Sequence, residues 1–150
     1  MTLICVETPR VYAPTAFGPR LTDVHGSGAW HARRGSRLHM GLDWETQPWG
    51  PVMAPIGGVV VRVARPYRNP KGDINTGLLI EGTGLYRGWK VKLFYCSPLV
   101  DVMGYEVDPR EVIAMARPMR EEYAGITPHA HIALKLRGVA VDPTPYLEAA

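Results

Sequence analysis

Short stretches of the chain alternate apolar and polar residues with a period of two, which is the pattern of half-buried β-strands. Residues 89–96 interleave two lysines with valine and leucine, and residues 129–136 alternate in the same way. Residues 59–64 form a β-branched run, which also favours a strand. Residues 77–82 are predicted to pair with residues 89–96 as a hairpin, with one buried face and one wet face.

Turn-forming residues interrupt the rest of the chain. The 16 glycines and 14 prolines predict many turns and short strands rather than long helices. Further extended pieces are predicted at residues 39–44, 52–55 and 107–115, and a long polar loop at residues 23–38. Residues 141–147 could form one helical turn at most. The sequence therefore predicts a mainly β fold, a single domain of short antiparallel strands with little helix.

Composition and charge argue against some classes of binding partner. The formal net charge is +3 and the pI about 9.0, but no run of lysine and arginine occurs, so nucleic-acid binding is not implied. A weak positive field could favour an anionic polymer such as a cell wall. No apolar run is long enough for a transmembrane helix, so no membrane partner is expected.

The N-terminus lacks the basic start and the long apolar run of a signal peptide. A protein of this kind that acts outside the cell is expected to be cytoplasmic before release. It would leave the cell by a route that needs no signal peptide, or belong to a virion or a lysis-released particle.

Two motifs far apart in the sequence carry the candidate chemistry. His39 and Asp43 lie four residues apart, and His129 and His131 lie two apart. Side chains of like parity share one face of a strand, so each pair can point the same way, with Gly41 leaving the space open between the first two. If the two segments lie side by side, two imidazoles and a carboxylate can converge, with a third imidazole beside them.

Two imidazoles and a carboxylate are the donor set of a zinc site with an open fourth position. In this interpretation His39, Asp43 and His131 hold Zn²⁺, and His129 is the catalytic acid/base or oxyanion stabiliser. A His-x-His pair on a strand is by itself more often a surface feature than a metal site. Spacing alone therefore leaves both alternatives open.

The residues around both motifs resemble the lysostaphin/LytM-type zinc endopeptidases. Residues 39–43 are similar to the family's His-x-Gly-x-Asp, residues 52–60 to its Val-x-Ala-x-x-x-Gly-x-Val, and residues 129–131 to its His-x-His. Residues 16–20 resemble its Phe-Gly-x-Arg lead-in, so the likeness spans about residues 16–147. It implies two sheets that form a groove, one Zn²⁺ at His39, Asp43 and His131, catalysis by His129, and hydrolysis of peptide bonds in peptidoglycan.

Other stretches resemble the leukocyte cell-derived chemotaxins, secreted animal proteins of the same fold. These stretches are residues 25–28, 66–69, 74–77, 92–98 and 142–147. Those proteins keep the zinc ligands but are regarded as signalling proteins rather than proteases, and they are disulfide-rich.

This chain has two cysteines, Cys5 and Cys96. One bridge between them is conceivable, but two unpaired buried thiols are expected.

One position departs from the pattern of active family members. They carry a further catalytic histidine in a Tyr-x-His-Leu setting, where this chain has Ser97 two residues after Tyr95. A serine hydroxyl can donate to an oxyanion but cannot act as a base near neutral pH, and losing one acid/base removes about two to four orders of magnitude in rate. Ser97 and Tyr95 are therefore candidate oxyanion or substrate contacts. His25, His31 or Tyr95 could substitute, although roles in loops or packing are the simpler expectation.

For several other side chains we expect a position in the core or at the surface rather than a role in a site. Trp44 is expected near the core and Glu81 at the surface, and Arg33, Arg34 and Arg37 are expected to form a solvated rim.

Two functional hypotheses follow. The first is a zinc endopeptidase acting on peptidoglycan peptides, as a phage-tail or lysis-associated wall hydrolase. Residues 23–147 would form its LytM-like peptidase domain, after an N-terminal segment at residues 1–22 and before a tail at residues 148–150. The second is a catalytically weak or inactive zinc-containing module that recognises a wall peptide, a glycan or a protein partner.

Overall fold

Most of the regular secondary structure consists of short antiparallel strands, which form at the alternating and β-branched stretches of the sequence. The computed structural model describes residues 9–65 and 76–148. The strands are β1 (Arg33–Arg34), β2 (Arg37–Leu38), β3 (Leu42–Glu45), β4 (Pro51–Met53), β5 (Gly58–Ala64), β6 (Gly77–Gly82), β7 (Trp89–Phe94), β8 (Cys96–Pro98), β9 (Glu106–Val107), β10 (Val112–Ala116), β11 (His129–Leu136) and β12 (Val139–Val141). A 3₁₀ turn spans Gly84–Tyr86, and helix α1 spans Thr144–Glu148.

The strands form one large sheet and two small ones over the described ranges. The large sheet has the order β12-β11-β7-β6-β5-β9, and β3 also pairs with β11. A three-stranded sheet has the order β4-β10-β8, and β1 and β2 form a hairpin. The fold is mainly β and a single domain, as the sequence predicts.

Strand β11 is central to the large sheet. Its first half pairs with β3, its last three residues pair with β12, and β7 lies along its other side. Ala130, Ile132 and Leu134 are buried, and the last two belong to the same core cluster as Val91 and Leu93 of β7. The alternate residues of β11, which include both histidines, therefore lie on the opposite face of the sheet.

The predicted hairpin is confirmed, but its second strand ends earlier than expected. The stretch 89–96 is not one strand, because Tyr95 adopts a left-handed backbone (φ 64°) that breaks the pleat. Strand β7 ends at Phe94, and Cys96 begins β8, which pairs with β10 in the other sheet. The chain thus changes sheets at Tyr95.

Two other boundaries also differ from the prediction. The loop 23–38 contains the β1–β2 hairpin, and the strand expected over residues 39–44 begins only at Leu42. His39 lies outside β3 because its N–H donates to the Ala32 carbonyl and its carbonyl accepts from the His31 N–H, which extends the hairpin.

The stretch 107–115 is also divided. Its first residue ends β9, and β10 begins only at Val112. Trp44 is buried in the core and Glu81 is exposed, as predicted.

Cys96 is buried and unpaired, whereas Cys5 lies outside the described residues, as do residues 66–75. Burial raises the pKa of the Cys96 thiol to about 12. Within the described ranges no helix has the length and apolarity needed to cross a membrane.

Candidate metal centre and cleft

The pairing of β3 with β11 brings the two sequence motifs together. Asp43 lies directly opposite His131 in the antiparallel register. Directly opposite residues share one face of a sheet, with their Cβ atoms about 5 Å apart. His39 reaches the same point from the β1–β2 hairpin, so the convergence expected from spacing is present.

Three ligand-type atoms face one another at this point. Asp43 Oδ1 lies 3.0 Å from His131 Nδ1 and 3.2 Å from His39 Nε2, and the two imidazole nitrogens are 2.9 Å apart. Zinc bonds of about 2.0–2.1 Å in a tetrahedron separate neighbouring ligand atoms by about 3.3 Å. The spacing and the donor set therefore fit a Zn²⁺ ion, and His39, Asp43 and His131 are the group that could hold it.

A backbone carbonyl orients the first imidazole. His39 Nδ1 lies 2.9 Å from the Ala29 carbonyl, so Nδ1–H donates outward and the Nε2 lone pair faces Asp43. The Gly28 carbonyl accepts the Asp43 N–H at 2.9 Å, so the loop that carries Ala29 is tied to β3. This loop therefore supplies the outer partner that orients the His39 ring.

Arg20 is a site residue to which sequence reasoning gave no role. Its NH1 lies 2.9 Å from Asp43 Oδ2, and its NH2 and Nε donate to Asp23 at 2.8 and 3.0 Å. The Arg20 side chain is only 3% exposed. Its place in the Phe-Gly-x-Arg lead-in was the available signal, but spacing could not show that it reaches Asp43.

Asp23 joins two loops beside the cleft. Besides the two bonds from Arg20, its carboxylate accepts from the Thr127 N–H and the His25 N–H, each at 2.8 Å. Burial opposes ionisation of Asp23, but these hydrogen bonds outweigh it and hold its pKa below the usual range.

The pKa of Asp43 is also held low. Burial opposes ionisation, but the interactions of Asp43 with the imidazoles of His131, His39 and His129 outweigh it. Asp43 is therefore a carboxylate at neutral pH, which is the form that binds a metal.

His129 is buried beside the centre with one nitrogen directed inward. Its Nδ1 lies 2.8 Å from the Thr127 carbonyl, and its Nε2 lies 3.4 Å from Asp43 Oδ2. The Tyr95 ring meets the imidazole edge-on, with centroids 5.3 Å apart. Burial lowers the pKa of His129, although the Asp43 charge and the Thr127 hydrogen bond oppose this. The neutral imidazole, with Nδ1–H donated to Thr127, presents the Nε2 lone pair for proton transfer.

The centre opens into a cleft of about 500 Å³. Tyr95 and His25 line this cleft, as do Arg34 and Arg37, which the sequence analysis placed on a solvated rim. Arg34 NH2 comes within 4.0 Å of Asp43 Oδ2. The cleft therefore combines the ligand group and His129 with basic side chains.

Two other sequence candidates are not brought to the cleft. Ser97 lies on β8, where its Oγ accepts a hydrogen bond of 3.3 Å from Arg117 NH1. His31 stacks on Trp30, with ring centroids 4.3 Å apart. Neither residue lines the cleft.

Known proteins with similar sequences decide the family. No protein-family profile matches the chain. Leukocyte cell-derived chemotaxin-2 of Mus musculus is 34% identical over 128 residues, which cover 85% of this chain and 78% of that protein. The chain belongs to the leukocyte cell-derived chemotaxin-2 family.

Comparison with solved structures shows which fold this member of the chemotaxin-2 family shares with other proteins. Lysostaphin from Staphylococcus simulans, an antimicrobial peptidase, has a TM-score of 0.66 at 18% identity, over 96% of this chain and 56% of that one. A zinc-containing peptidase from Vibrio cholerae has a TM-score of 0.63 at 21% identity, over 91% of this chain and 39% of that one. This chain therefore has the fold of lysostaphin/LytM-type peptidases, which confirms the resemblance.

Proposed function

We propose that this chain is a zinc-dependent peptidase that cleaves peptide bonds in bacterial peptidoglycan. The observation that carries the proposal is the convergence of His39, Asp43 and His131 within 3.2 Å, with His129 directed at the same point. A cleft of about 500 Å³ is within the size range of small-molecule and peptide sites.

The roles of the residues follow from their contacts. Zn²⁺ held by His39, Asp43 and His131 would supply Lewis acidity and an acidified water. His129 would accept a proton at Nε2 and return it to the leaving amine. Arg20 would position Asp43 by holding Oδ2, which leaves Oδ1 directed at the two imidazoles.

The basic wall of the cleft suggests what a substrate would contribute. Arg34 and Arg37 could pair with carboxylates of a wall peptide, because guanidinium groups bind carboxylates in a two-pronged geometry.

For localisation we propose a phage tail or a lysis-released particle, and detection of the chain in purified virions would test this proposal.

A second candidate function is a zinc-containing binding module without turnover. The placement of Ser97 favours it, because the residue that stands for the family's further histidine faces Arg117 rather than the cleft. Only one histidine besides the ligands then points at the centre within the described ranges. Membership of the chemotaxin-2 family is compatible with this alternative.

One assay separates the two functions. Zinc-loaded protein is incubated with purified peptidoglycan, and new amino termini and sedimented protein are both measured. The peptidase proposal expects amine release by the wild type and by His31→Ala, which lies outside the cleft, and none by His129→Ala. Sedimentation of zinc-loaded protein with the wall without amine release would reject the peptidase and support the binding module. The absence of both amine release and sedimentation would reject both functions.

A further inference from the structure

Three lysines gather on the solvent side of the large sheet. Lys90 and Lys92 lie on β7, and Lys135 lies on β11, directly opposite Lys90. The sequence contains four lysines in all, so this concentration is not an average distribution. We call Lys90, Lys92 and Lys135 the lysine face.

The cross-strand rows show how little negative charge accompanies these lysines. One row runs from Lys135 through Lys90 and Glu81 to Val59. The next row runs from Ala133 through Lys92 and Leu79 to Arg62. These two rows carry four cations and one carboxylate, which leaves a local excess of positive charge.

The arrangement is electrostatically unfavourable in the free protein. Like charges directly opposite each other destabilise a sheet, as Lys90 and Lys135 do here. Burial lowers the pKa of Lys92, and the charges of Arg62, Lys135 and Lys90 lower it further. A bound polyanion would relieve this repulsion.

The lysine face leads directly to the cleft. Phe94 follows Lys92 by two residues on the same side of β7, lies opposite His131, and lines the cleft. Two residues of a strand advance about 6.8 Å. The distance from the Lys90 row to the His131 row is therefore about 14 Å, which an extended polymer can cover.

We propose that the lysine face binds an anionic polysaccharide that runs along β7 toward the cleft. The two rows contain no aromatic side chain on which a base could stack. This feature favours a polysaccharide over a nucleic acid, and it does not depend on the metal centre.

The test measures binding to a defined polyanion. Fluorescein-labelled dextran sulfate is titrated with the full chain, and neutral dextran and labelled oligothymidylate serve as comparison probes. The triple variant Lys90→Gln, Lys92→Gln, Lys135→Gln is compared with the charge-matched variant Arg10→Gln, Arg33→Gln, Arg110→Gln. The triple Lys→Arg variant keeps the charge at the lysine face.

The expected result is salt-dependent binding of dextran sulfate and none of neutral dextran. The lysine-to-glutamine variant should raise the Kd at least about tenfold, and the other two variants should change it by less than about threefold. Binding by His129→Ala should equal that of the wild type, so failure of the proposed peptidase would not affect this result.

Three outcomes would overturn the inference. Equal losses in both glutamine variants would mean that net charge alone drives binding. Tighter binding of oligothymidylate than of dextran sulfate would point to a nucleic acid. No binding of dextran sulfate would show that the lysine face does not bind a polyanion.

Discussion

Gly41 is required in the His-x-Gly-x-Asp motif because the imidazole of His131 covers its Cα. A Cβ at this position would lie 2.5 Å from both Cε1 and Nε2 of that ring, and 2.6 Å from the Ile132 carbonyl oxygen. Backbone and core residues hold these atoms, so neither the ring nor the strand can shift freely. The glycine therefore sets where the His131 imidazole can lie.

Substitution of Gly41 by alanine should weaken zinc binding. The added methyl group would displace the His131 ring, and disturbed positioning of a ligand typically costs about 10–100-fold in metal affinity. Competition with a chromophoric chelator measures the Kd for zinc. Met40→Ala, at an exposed neighbour, is the control and should leave the Kd within about twofold; an unchanged Kd in Gly41→Ala would contradict the steric argument.

Asp23 should contribute stability in a pH-dependent way. Its pKa is lowered in the folded chain, so its contribution is fully present above the ordinary carboxyl pKa of about 3.9 and is lost as the pH falls further. Asp23→Asn should lower the free energy of unfolding by about 2 kcal/mol at pH 7.

Denaturant unfolding between pH 7 and pH 3 measures this difference, with Asp101→Asn, at an exposed position, as the control. The gap between wild type and Asp23→Asn should be constant down to about pH 4 and then shrink. A gap that widens in acid would refute the assignment.

The candidate ligands could be named from the sequence, but their supporting residues could not. Motif spacing and the family resemblance indicated His39, Asp43 and His131, although His39 reaches the centre from the β1–β2 hairpin rather than from the strand of Asp43. The contacts of Arg20, Asp23 and Ala29 depend on how a polar loop folds over the sheet, and no periodicity encodes that path. The structure alone shows that this loop holds Asp43 and His39.

At the scale of elements, strands β7 and β11 were predictable because their apolar and polar side chains alternate. The break at Tyr95 was not, because the left-handed backbone is set by tertiary context: β8 must leave the large sheet to pair with β10. This break turns the Tyr95 ring toward His129 and directs Ser97 toward Arg117. A motif comparison could align Ser97 with a catalytic position but could not place it.

The buried start of β8 should be chemically inert in the native chain. Cys96 is fully buried and its pKa is raised to about 12, so little thiolate exists at pH 8. In a Cys5→Ser background, a thiol reagent should leave Cys96 unmodified in buffer and modify it fully in denaturant. Rapid modification of the native protein would show that β8 does not pack as described.

At the scale of the molecule, two chain segments distant in sequence contribute to one centre. The β1–β2 hairpin brings His39, β3 brings Asp43 and β11 brings His131, so a bound ion would link parts that separate on unfolding. Mainly β structure of short antiparallel strands with little helix could be predicted from alternation, glycine and proline content and family resemblance, whereas the expected two sheets are one large sheet and two small ones. The lysine face could not, because its members meet only across strands.

Zinc should therefore stabilise the whole fold. Free zinc at 100 times its Kd stabilises a one-site protein by about 2.7 kcal/mol, or roughly 5–10 °C in Tm for a chain of this size. Thermal unfolding with zinc, and again after excess chelator, measures the shift. An unchanged Tm after verified metal removal would argue against an ion that links these segments.

The zinc content of the purified protein tests the central claim most directly. Elemental analysis after dialysis against zinc and then metal-free buffer should find about one Zn²⁺ per chain in the wild type and in the control His31→Gln. His131→Gln, confirmed as folded by its circular dichroism, should retain almost none. A wild-type chain without zinc, or a His131→Gln chain with the same zinc content, would contradict the account.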